Sequence, residues 1–194
     1  ADNAKYYLGY IAYDSDDYAK AESYFREVQD DATLSKNVSY FQANMYFKQA
    51  LYDEAIEEGQ KQLAKTKSAQ EISELNKIIG ESYFNQKKYK EAIPYLQKYK
   101  GKKGKFSNTD YYYLGYAFYK NNDYKAAIEQ FNKIVGGNDN VAQNAYYHLA
   151  ECYLKTDQKQ QALNAFRNAS QMDFDKQIKK DAHLNYARLS YEIG

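Results

Sequence analysis

The chain lacks tryptophan and has only one proline, one cysteine and two methionines among 194 residues. The single Cys152 excludes an internal disulfide and is equally compatible with the cytosol and the periplasm. No apolar run approaches the roughly 20 residues needed to span a bilayer, so we expect no direct membrane insertion. Basic and acidic side chains almost cancel, 27 against 26, which argues against nucleic acid as a partner because no long-range field would attract it.

Large aliphatic side chains are also scarce, a composition that is common in disordered chains. The net charge of +1 argues against disorder, which at low hydrophobicity usually needs strong self-repulsion as well. The 24 tyrosines resolve the conflict, because a tyrosine ring buries a large apolar area while its hydroxyl remains hydrated. Tyrosine therefore supplies the core that the aliphatic residues do not.

Two small-residue markers recur along the whole chain at intervals of 34 to 37 residues. The first is a small residue that, except at Ala43, follows a hydrophobic one; it falls at Gly9, Ala43, Gly80, Gly115, Ala150 and Ala187. The second is an alanine found twelve residues later, at Ala21, Ala55, Ala92, Ala127 and Ala162. Two independent markers with one period indicate an internal repeat.

The stretch "YYYLGYAFYKNNDYKAAIEQF" shows how one repeat is built. Helical i, i+3, i+4, i+7 spacing occurs twice, at Tyr111, Leu114, Gly115, Phe118 and again at Tyr124, Ala127, Ile128, Phe131. The polar "KNND" between them predicts a turn, and Asp123 is a predicted N-cap of the second helix, as Asp17 is in the first repeat. A glycine inside the first helix costs about 1 kcal/mol, and we expect it to admit a ring of the partner helix.

These residues resemble the tetratricopeptide repeat, whose signature is W-x2-L-G-x2-Y, then A-x3-F, then P. The resemblance covers essentially the whole chain and implies an all-α fold, a right-handed superhelical solenoid of helix-turn-helix repeats. Tyrosine mostly replaces the tryptophan, and the repeat-ending proline is missing. The second repeat is weak, with Ser39 at the tryptophan position and Gly59 at the phenylalanine position, and Pro94 falls within a predicted second helix that it could kink.

We expect residues 1–194 to form a single array. The predicted repeats span 2–34, 36–70, 73–106, 108–141 and 143–176, and the first helix of a sixth spans 179–194. Both ends interrupt the pattern, and the last helix is apolar on one face where a free-standing array normally carries a polar cap. The expectation is therefore a fragment of a longer array, and a fused enzyme domain outside the sequence would not be visible in it.

No catalytic constellation, cofactor motif or metal-ligand set is found, so the prediction is a protein that is not an enzyme. His148 and His183 lie at different heights of the array, whereas a metal site needs converging ligands. Cys152 follows His148 by one turn, but its position in the repeat favours a small packed side chain over a nucleophile. The "GKKGK" at 101–105 lacks the spacing of a phosphate-binding loop and is read as a solvated connection.

The resemblance also implies a binding groove lined by first-helix positions that flank the packing residues. The candidate groove residues in this sequence are Tyr6, Tyr10, Tyr13, Tyr40, Asn44, Phe47, Lys48, Glu81, Phe84, Tyr112, Tyr116, Tyr119, Lys120, Tyr147, Glu151, Lys155 and Arg188. Lys77, Asn85, Leu154, Leu184 and Tyr191 occupy the remaining positions of this kind. Some of these rings could instead cover only the seam between repeats.

An aromatic ladder of this kind favours a protein-interaction scaffold that binds a peptide or protein segment, because tyrosine offers contact area at low entropy cost. Two alternatives stay open: a structural spacer or self-association module, and glycan or cell-wall binding by ring stacking. A clamp for chaperone C-terminal tails is rejected, because Glu81 would repel a carboxylate. The Tyr/Lys/Asn-rich style resembles large bacterial envelope repeat proteins, which favours the envelope or periplasm without excluding the cytoplasm.

Overall fold

The computed structural model describes residues 2–31, 33–134 and 136–193, and within these ranges the chain forms eleven α-helices and one short 3-10 helix at Asn132–Ile134. The helices are α1 (Asp2–Asp14), α2 (Tyr18–Arg26), α3 (Ser35–Lys48), α4 (Tyr52–Leu63), α5 (Ala69–Asn85), α6 (Tyr89–Lys98), α7 (Asn108–Lys120), α8 (Tyr124–Phe131), α9 (Asn140–Lys155), α10 (Lys159–Gln171) and α11 (Lys176–Ile193). They form two compact parts, residues 1–99 and residues 100–194.

The N-terminal part consists of three helix pairs, α1 with α2, α3 with α4, and α5 with α6, and α5 also packs against α3 and α4. The pairs close around small residues, as predicted. A β-carbon on Gly9 would lie 2.7 Å from ring atoms of Phe25, a distance that side chains do not tolerate, so glycine lets this buried ring contact α1 directly. The all-α prediction is confirmed in this part.

The C-terminal part repeats the arrangement with α7 on α8 and α9 on α10, and α11 packs on α10. A β-carbon on Gly115 would lie 2.9 Å from ring atoms of Phe131, and Phe131 itself is almost completely buried. The expectation that this glycine admits a ring of the partner helix is therefore confirmed.

The turn within each repeat has a residue with positive φ, and in the first and fourth repeats the tyrosine that begins the second helix bonds back to that residue. Asn122 adopts a left-handed conformation (φ 62°), and asparagine is one of the residues that tolerate it best. Asp123 follows and accepts a hydrogen bond from the backbone N–H of Ala126 at 3.2 Å, which confirms the predicted cap. The Tyr124 hydroxyl donates to Asn122 Oδ1 at 2.8 Å and ties the helix start back to the turn.

The first helices of three repeats begin a few residues before the positions estimated from the sequence, at Ala69, Asn140 and Lys176. Capping explains two of these starts: Ser68 accepts from the Glu71 N–H and Asp139 accepts from the Ala142 N–H, so the helix begins at the capping residue and not at the first repeat marker.

Gly59 at the phenylalanine position and Pro94 within a second helix are two departures from the repeat pattern that the sequence shows. At Gly59 a β-carbon would lie 2.7 Å from Ile79 Cγ1, so an isoleucine of α5 occupies the space that a phenylalanine would fill. Pro94 lies inside α6, and the helix continues to Lys98 beyond it.

A buried glutamine fixes the connection between α10 and α11. Gln143 on α9 has no solvent exposure, and its Nε2 donates to the carbonyls of Met172 (3.0 Å), Ala169 (3.2 Å) and Asp175 (3.2 Å). Its Oε1 accepts from the Asp175 backbone N–H at 2.7 Å. One side chain of α9 therefore bonds four backbone groups at the end of α10 and in the connection to α11.

Candidate functional site

Three predicted groove tyrosines form a ring cluster on α7. Tyr112, Tyr116 and Tyr119 follow i, i+4, i+7 spacing, which places them on one face of the helix. Tyr112 and Tyr116 are stacked with centroids 5.7 Å apart, and Tyr116 and Tyr119 are 5.8 Å apart. Ser107 and Asp110 form a capping box at the start of α7, which fixes where the helix begins and hence which way these rings point.

His148 of α9 closes this cluster from the next repeat. Its ring lies 5.0 Å from both Tyr116 and Tyr119, and 6.4 Å from Tyr112. The ring of Phe131 on α8 stacks on the His148 ring with centroids 6.4 Å apart. The side chain of His148 is only 15% exposed, so the histidine is a packing residue at the seam between two repeats.

The charges around the cluster are arranged asymmetrically. Glu151 hydrogen-bonds His148 Nδ1 at 2.8 Å and also bonds the Tyr119 hydroxyl. Burial and the neighbouring Glu151 carboxylate raise the pKa of Tyr119 well above its usual value, so this hydroxyl stays protonated. Lys120 lies over the rings of Tyr116 and Tyr119, with Nζ 5.7 and 5.9 Å from their centroids. The Glu151 carboxylate is thus bonded to residues of the cluster itself, whereas the Lys120 side chain is exposed.

The adjacent face of α9 continues the surface. The Tyr147 ring contacts His148 at 5.4 Å and Phe166 at 5.8 Å, and burial raises the pKa of its hydroxyl. Lys155 is exposed at the end of α9. We call Tyr112, Tyr116, Tyr119, Lys120, Tyr147, Glu151 and Lys155 the tyrosine face.

On α11 the predicted groove positions are open. Leu184 and Tyr191 are exposed, and Arg188 forms an ion pair with Glu192 one turn away at 3.1 Å. The Arg188 guanidinium is therefore exposed, but it is paired with a carboxylate of its own helix.

The N-terminal part contains the same arrangement with a phenylalanine in place of the histidine. Tyr6, Tyr10 and Tyr13 of α1 surround Phe41 of α3 at 6.4, 5.6 and 4.9 Å. Phe25 of α2 stacks on Phe41 at 5.5 Å, as Phe131 does on His148. The two seams are thus built by the same register positions of successive repeats.

Other predicted groove residues of this part serve mixed roles. Lys48 lies over the Tyr13 ring at 5.4 Å and forms an ion pair with Asp16 at 3.5 Å. Burial raises the pKa of Tyr13 to about 12, which keeps its hydroxyl neutral. Tyr10 is 43% exposed and is the most open of the three tyrosines that surround Phe41.

The second seam of the N-terminal part is less aromatic. Tyr40 and Phe47 of α3 pack against a small core that includes Ile78, and Asn44 is half-buried between them.

On α5, the same groove positions hold Glu81 and Phe84. Glu81 lies 3.7 Å from Lys77, and Phe84 contacts Tyr89 at 5.3 Å. Both of these contacts lie within the third repeat.

Sequence reasoning located the tyrosines but separated them too sharply into packing and groove residues, since the rings of α1 and α7 pack on the next repeat while remaining half-exposed. It also missed Phe41 as part of the cluster. A signal existed: Phe41 and His148 both lie two residues before the small repeat marker.

Metal ligands and the single cysteine bear on what chemistry the described residues could support. Within residues 2–31, 33–134 and 136–193, no group of three or more His, Cys, Asp or Glu side chains could hold a metal ion. Burial raises the pKa of the Cys152 thiol to about 12, so it is not a poised nucleophile. In these same ranges, no helix has the length and apolarity to cross a membrane.

Comparison with known families identifies the repeat. A tetratricopeptide repeat family model matches residues 6–69, and the family "Anaphase-promoting complex, cyclosome, subunit 3" matches residues 85–169. None of the curated proteins is significantly similar to the chain. The helix pairs, their glycine-to-phenylalanine packing and these matches agree: the chain is built from tetratricopeptide-type repeats.

Solved structures of MamA share this fold. MamA AMB-1 superposes with a TM-score of 0.74 at 20% identity, covering 89% of this chain and 91% of that chain. MamA MSR-1 gives 0.69 at 20%, covering 88% and 95%, and the MamA RS-1 ArsTM double mutant gives 0.68 at 16%, covering 88% and 93%. At these identities the likeness concerns the fold alone. Fold and repeat class together support a protein-interaction scaffold in general terms.

Proposed function

We propose that the chain is a non-enzymatic scaffold that binds a segment of a partner protein on the tyrosine face. The observation that carries this proposal is the packing of Tyr112, Tyr116 and Tyr119 around His148. Because the rings are held by the next repeat yet remain half-exposed, binding them costs little side-chain entropy. Rigid tyrosines of this kind are typical anchors of protein interfaces.

The charge of the face indicates the chemistry of the partner. Glu151 is hydrogen-bonded by His148 and Tyr119 within the cluster, whereas in the part of the chain that the structure describes the two lysines of the face have no such bonds to it. Lys120 and Lys155 stay exposed at the C-terminal ends of α7 and α9. The face therefore favours a segment with apolar side chains for the rings and acidic side chains for the two lysines, since charge complementarity selects partners and speeds association.

The same packing makes glycan binding the weaker alternative. Sugars stack on flat ring faces, but Tyr112 and Tyr116 stack on each other at 5.7 Å and Tyr116 meets His148 edge to face. The rings thus use part of their flat surface among themselves. A bacterial envelope location is part of the proposal and rests on the residue style of the sequence; cell fractionation with an antibody to the chain tests it.

A pull-down with charge-reversed baits tests the binding proposal. The test variant is Lys120→Glu with Lys155→Glu, which changes the tyrosine face without touching the core. The matched control is Lys125→Glu with Arg167→Glu, the same change in charge at exposed positions of α8 and α10. We expect a protein that is retained by the native chain and the control but lost by the test variant. Retention by all three baits, or by none, contradicts the proposal.

A spacer or self-association module makes a different prediction. It requires no partner, and its mass in light scattering rises with protein concentration. The native chain and both variants measured side by side separate this outcome from partner binding.

A further inference from the structure

A cavity of about 1000 Å³ lies in the N-terminal part, lined by residues of α2, α3, α4 and the connection to α5. Phe25, Val38 and Met45 line it with apolar side chains, each less than a tenth exposed. The volume corresponds to roughly thirty water molecules and lies at the upper end of the range for ligand pockets. The cavity is open to solvent on one side, and a gap of this size between packed helices needs a specific cause.

The cause is the irregular second repeat. Ser39 and Gln42 line the cavity at register positions that hold Tyr146 and Leu149 in the fifth repeat. The Ser39 hydroxyl donates back to the Ser35 carbonyl at 3.2 Å, and Gln42 Nε2 donates to the Tyr46 hydroxyl at 3.2 Å. Small polar groups that bond within α3 thus replace a ring and a leucine, and the space between α2 and α4 stays open.

This cavity is separate from the predicted groove side of α3. Tyr40, Asn44 and Phe47 share one side of that helix, whereas Ser39 and Gln42 lie more than a quarter turn away around the axis. A ligand in the cavity would leave the predicted groove positions accessible.

The charges of the cavity are uneven along its length. Lys65 and Lys67 line the end next to α5, and in the described part of the chain neither forms an ion pair. Two of the three acids that line the cavity are engaged: Glu22 pairs with Arg26 at 3.1 Å, and Glu71 accepts from the Thr66 hydroxyl.

The third acid, Glu58, lies on α4 about 8 Å of helix axis before that helix ends at Leu63. The end near α5 therefore carries Lys65 and Lys67 against the single carboxylate of Glu71, one net positive charge.

We propose that this cavity binds an extended polypeptide segment of a second partner, which inserts a bulky apolar side chain against Phe25 and Met45 and places an acidic side chain at Lys65 and Lys67. The hydroxyl and amide groups of the lining suit a peptide backbone, which needs donors and acceptors along its length. The chain then has a ligand site independent of the tyrosine face and can hold two partners together.

Peptide selection tests the proposal. A phage library of random dodecapeptides is panned on the chain, and enriched peptides are measured by fluorescence polarisation. Ser39→Tyr introduces the ring of the fifth repeat and should block the cavity while raising the melting temperature. Lys65→Glu with Lys67→Glu removes the basic end at exposed positions, where the substitution leaves the core intact.

We expect enriched peptides to combine a large apolar residue with an acidic one. Both variants should weaken their binding about tenfold or more, and Lys120→Glu with Lys155→Glu should leave it unchanged. No enrichment, equal binding to Ser39→Tyr, or loss of binding in the tyrosine-face variant overturns the site. Equal binding to the Lys65 and Lys67 variant overturns the acidic partner. Failure of the tyrosine-face pull-down has no bearing on these outcomes, so the two proposals are tested separately.

Discussion

Replacing Gln143 with leucine should destabilise the C-terminal part of the chain more than any change at its surface. Leucine has nearly the same volume but cannot bond the α10 to α11 connection. The substitution removes the acceptor of the Asp175 N–H at 2.7 Å and the donor to the Met172 carbonyl at 3.0 Å. Each backbone group left without a partner costs about 1 to 3 kcal/mol.

The net effect follows from these terms. Two unsatisfied groups cost about 4 kcal/mol together, and the apolar gain of a buried leucine offsets about 1 kcal/mol of this. We therefore expect a loss of about 3 kcal/mol, or a melting temperature lower by about 6 to 12 °C for a chain of this length. Gln160→Leu, on the exposed side of α10, is the control and should change stability by less than about 0.5 kcal/mol.

Urea unfolding followed by circular dichroism measures the global effect, and hydrogen exchange at the Asp175 amide measures the local one. Both should change in Gln143→Leu, because the amide loses its acceptor. A loss below about 1 kcal/mol, or an Asp175 amide as protected as in the native chain, would show that the glutamine does not hold this connection.

Three further predictions concern packing, ionisation and capping. Gly80→Val should cost about 1 to 3 kcal/mol in urea unfolding, because a β-carbon there would lie 2.8 Å from Leu96 Cδ2 and 3.0 Å from the Leu96 backbone nitrogen; native-like stability would contradict the close contact. Cys152, with a pKa raised to about 12 by burial, should be thiolate in only about one molecule in ten thousand at pH 8, so a thiol reagent should react only after unfolding. Rapid labelling of the folded chain at pH 8 would refute this. Ser107→Ala removes the capping box of α7 and should cost about 1 kcal/mol, which Ser107→Thr should largely restore because it keeps the hydroxyl that donates to Asp110; an unchanged melting temperature in Ser107→Ala would argue against the cap.

The helix pairs could be predicted because the residues that form the turns and the helix contacts lie close together in the sequence. In the fourth repeat, Asn122 is the turn residue with positive φ, and Asp123 caps the second helix. Tyr124 then bonds back to the turn through its hydroxyl. The spacing pattern also predicts that Gly115 admits a ring of the partner helix. These are short-range effects, so a spacing pattern is sufficient to find them.

Long-range compensation could not be predicted. Gly59 and Ser39 are the same kind of departure, a small residue where a ring is expected. At Gly59 the side chain of Ile79 moves into the space, but at Ser39 the space remains a cavity. Which outcome occurs depends on the side chains of the neighbouring repeat, and the repeat pattern carries no information about their volume at that point.

The candidate site shows the same limit. Helical spacing placed Tyr112, Tyr116 and Tyr119 on one face, but not the ring that packs on them from α9. Only the structure shows that His148 and Phe41 perform this role in the two parts of the chain. The tyrosines therefore pack between two repeats and are also partly exposed, whereas the sequence-based prediction treated these two roles as alternatives.

The most direct test of the central claim is photo-crosslinking in cells from the tyrosine face. Benzoylphenylalanine replaces Tyr116, where its ring can still pack on His148, and in a second strain it replaces Asn164, which is exposed on α10. A partner bound on the tyrosine face predicts a discrete crosslinked protein from position 116 and none from position 164. The same crosslinks from both positions, or none from position 116 while the chain remains folded, would contradict binding at this face.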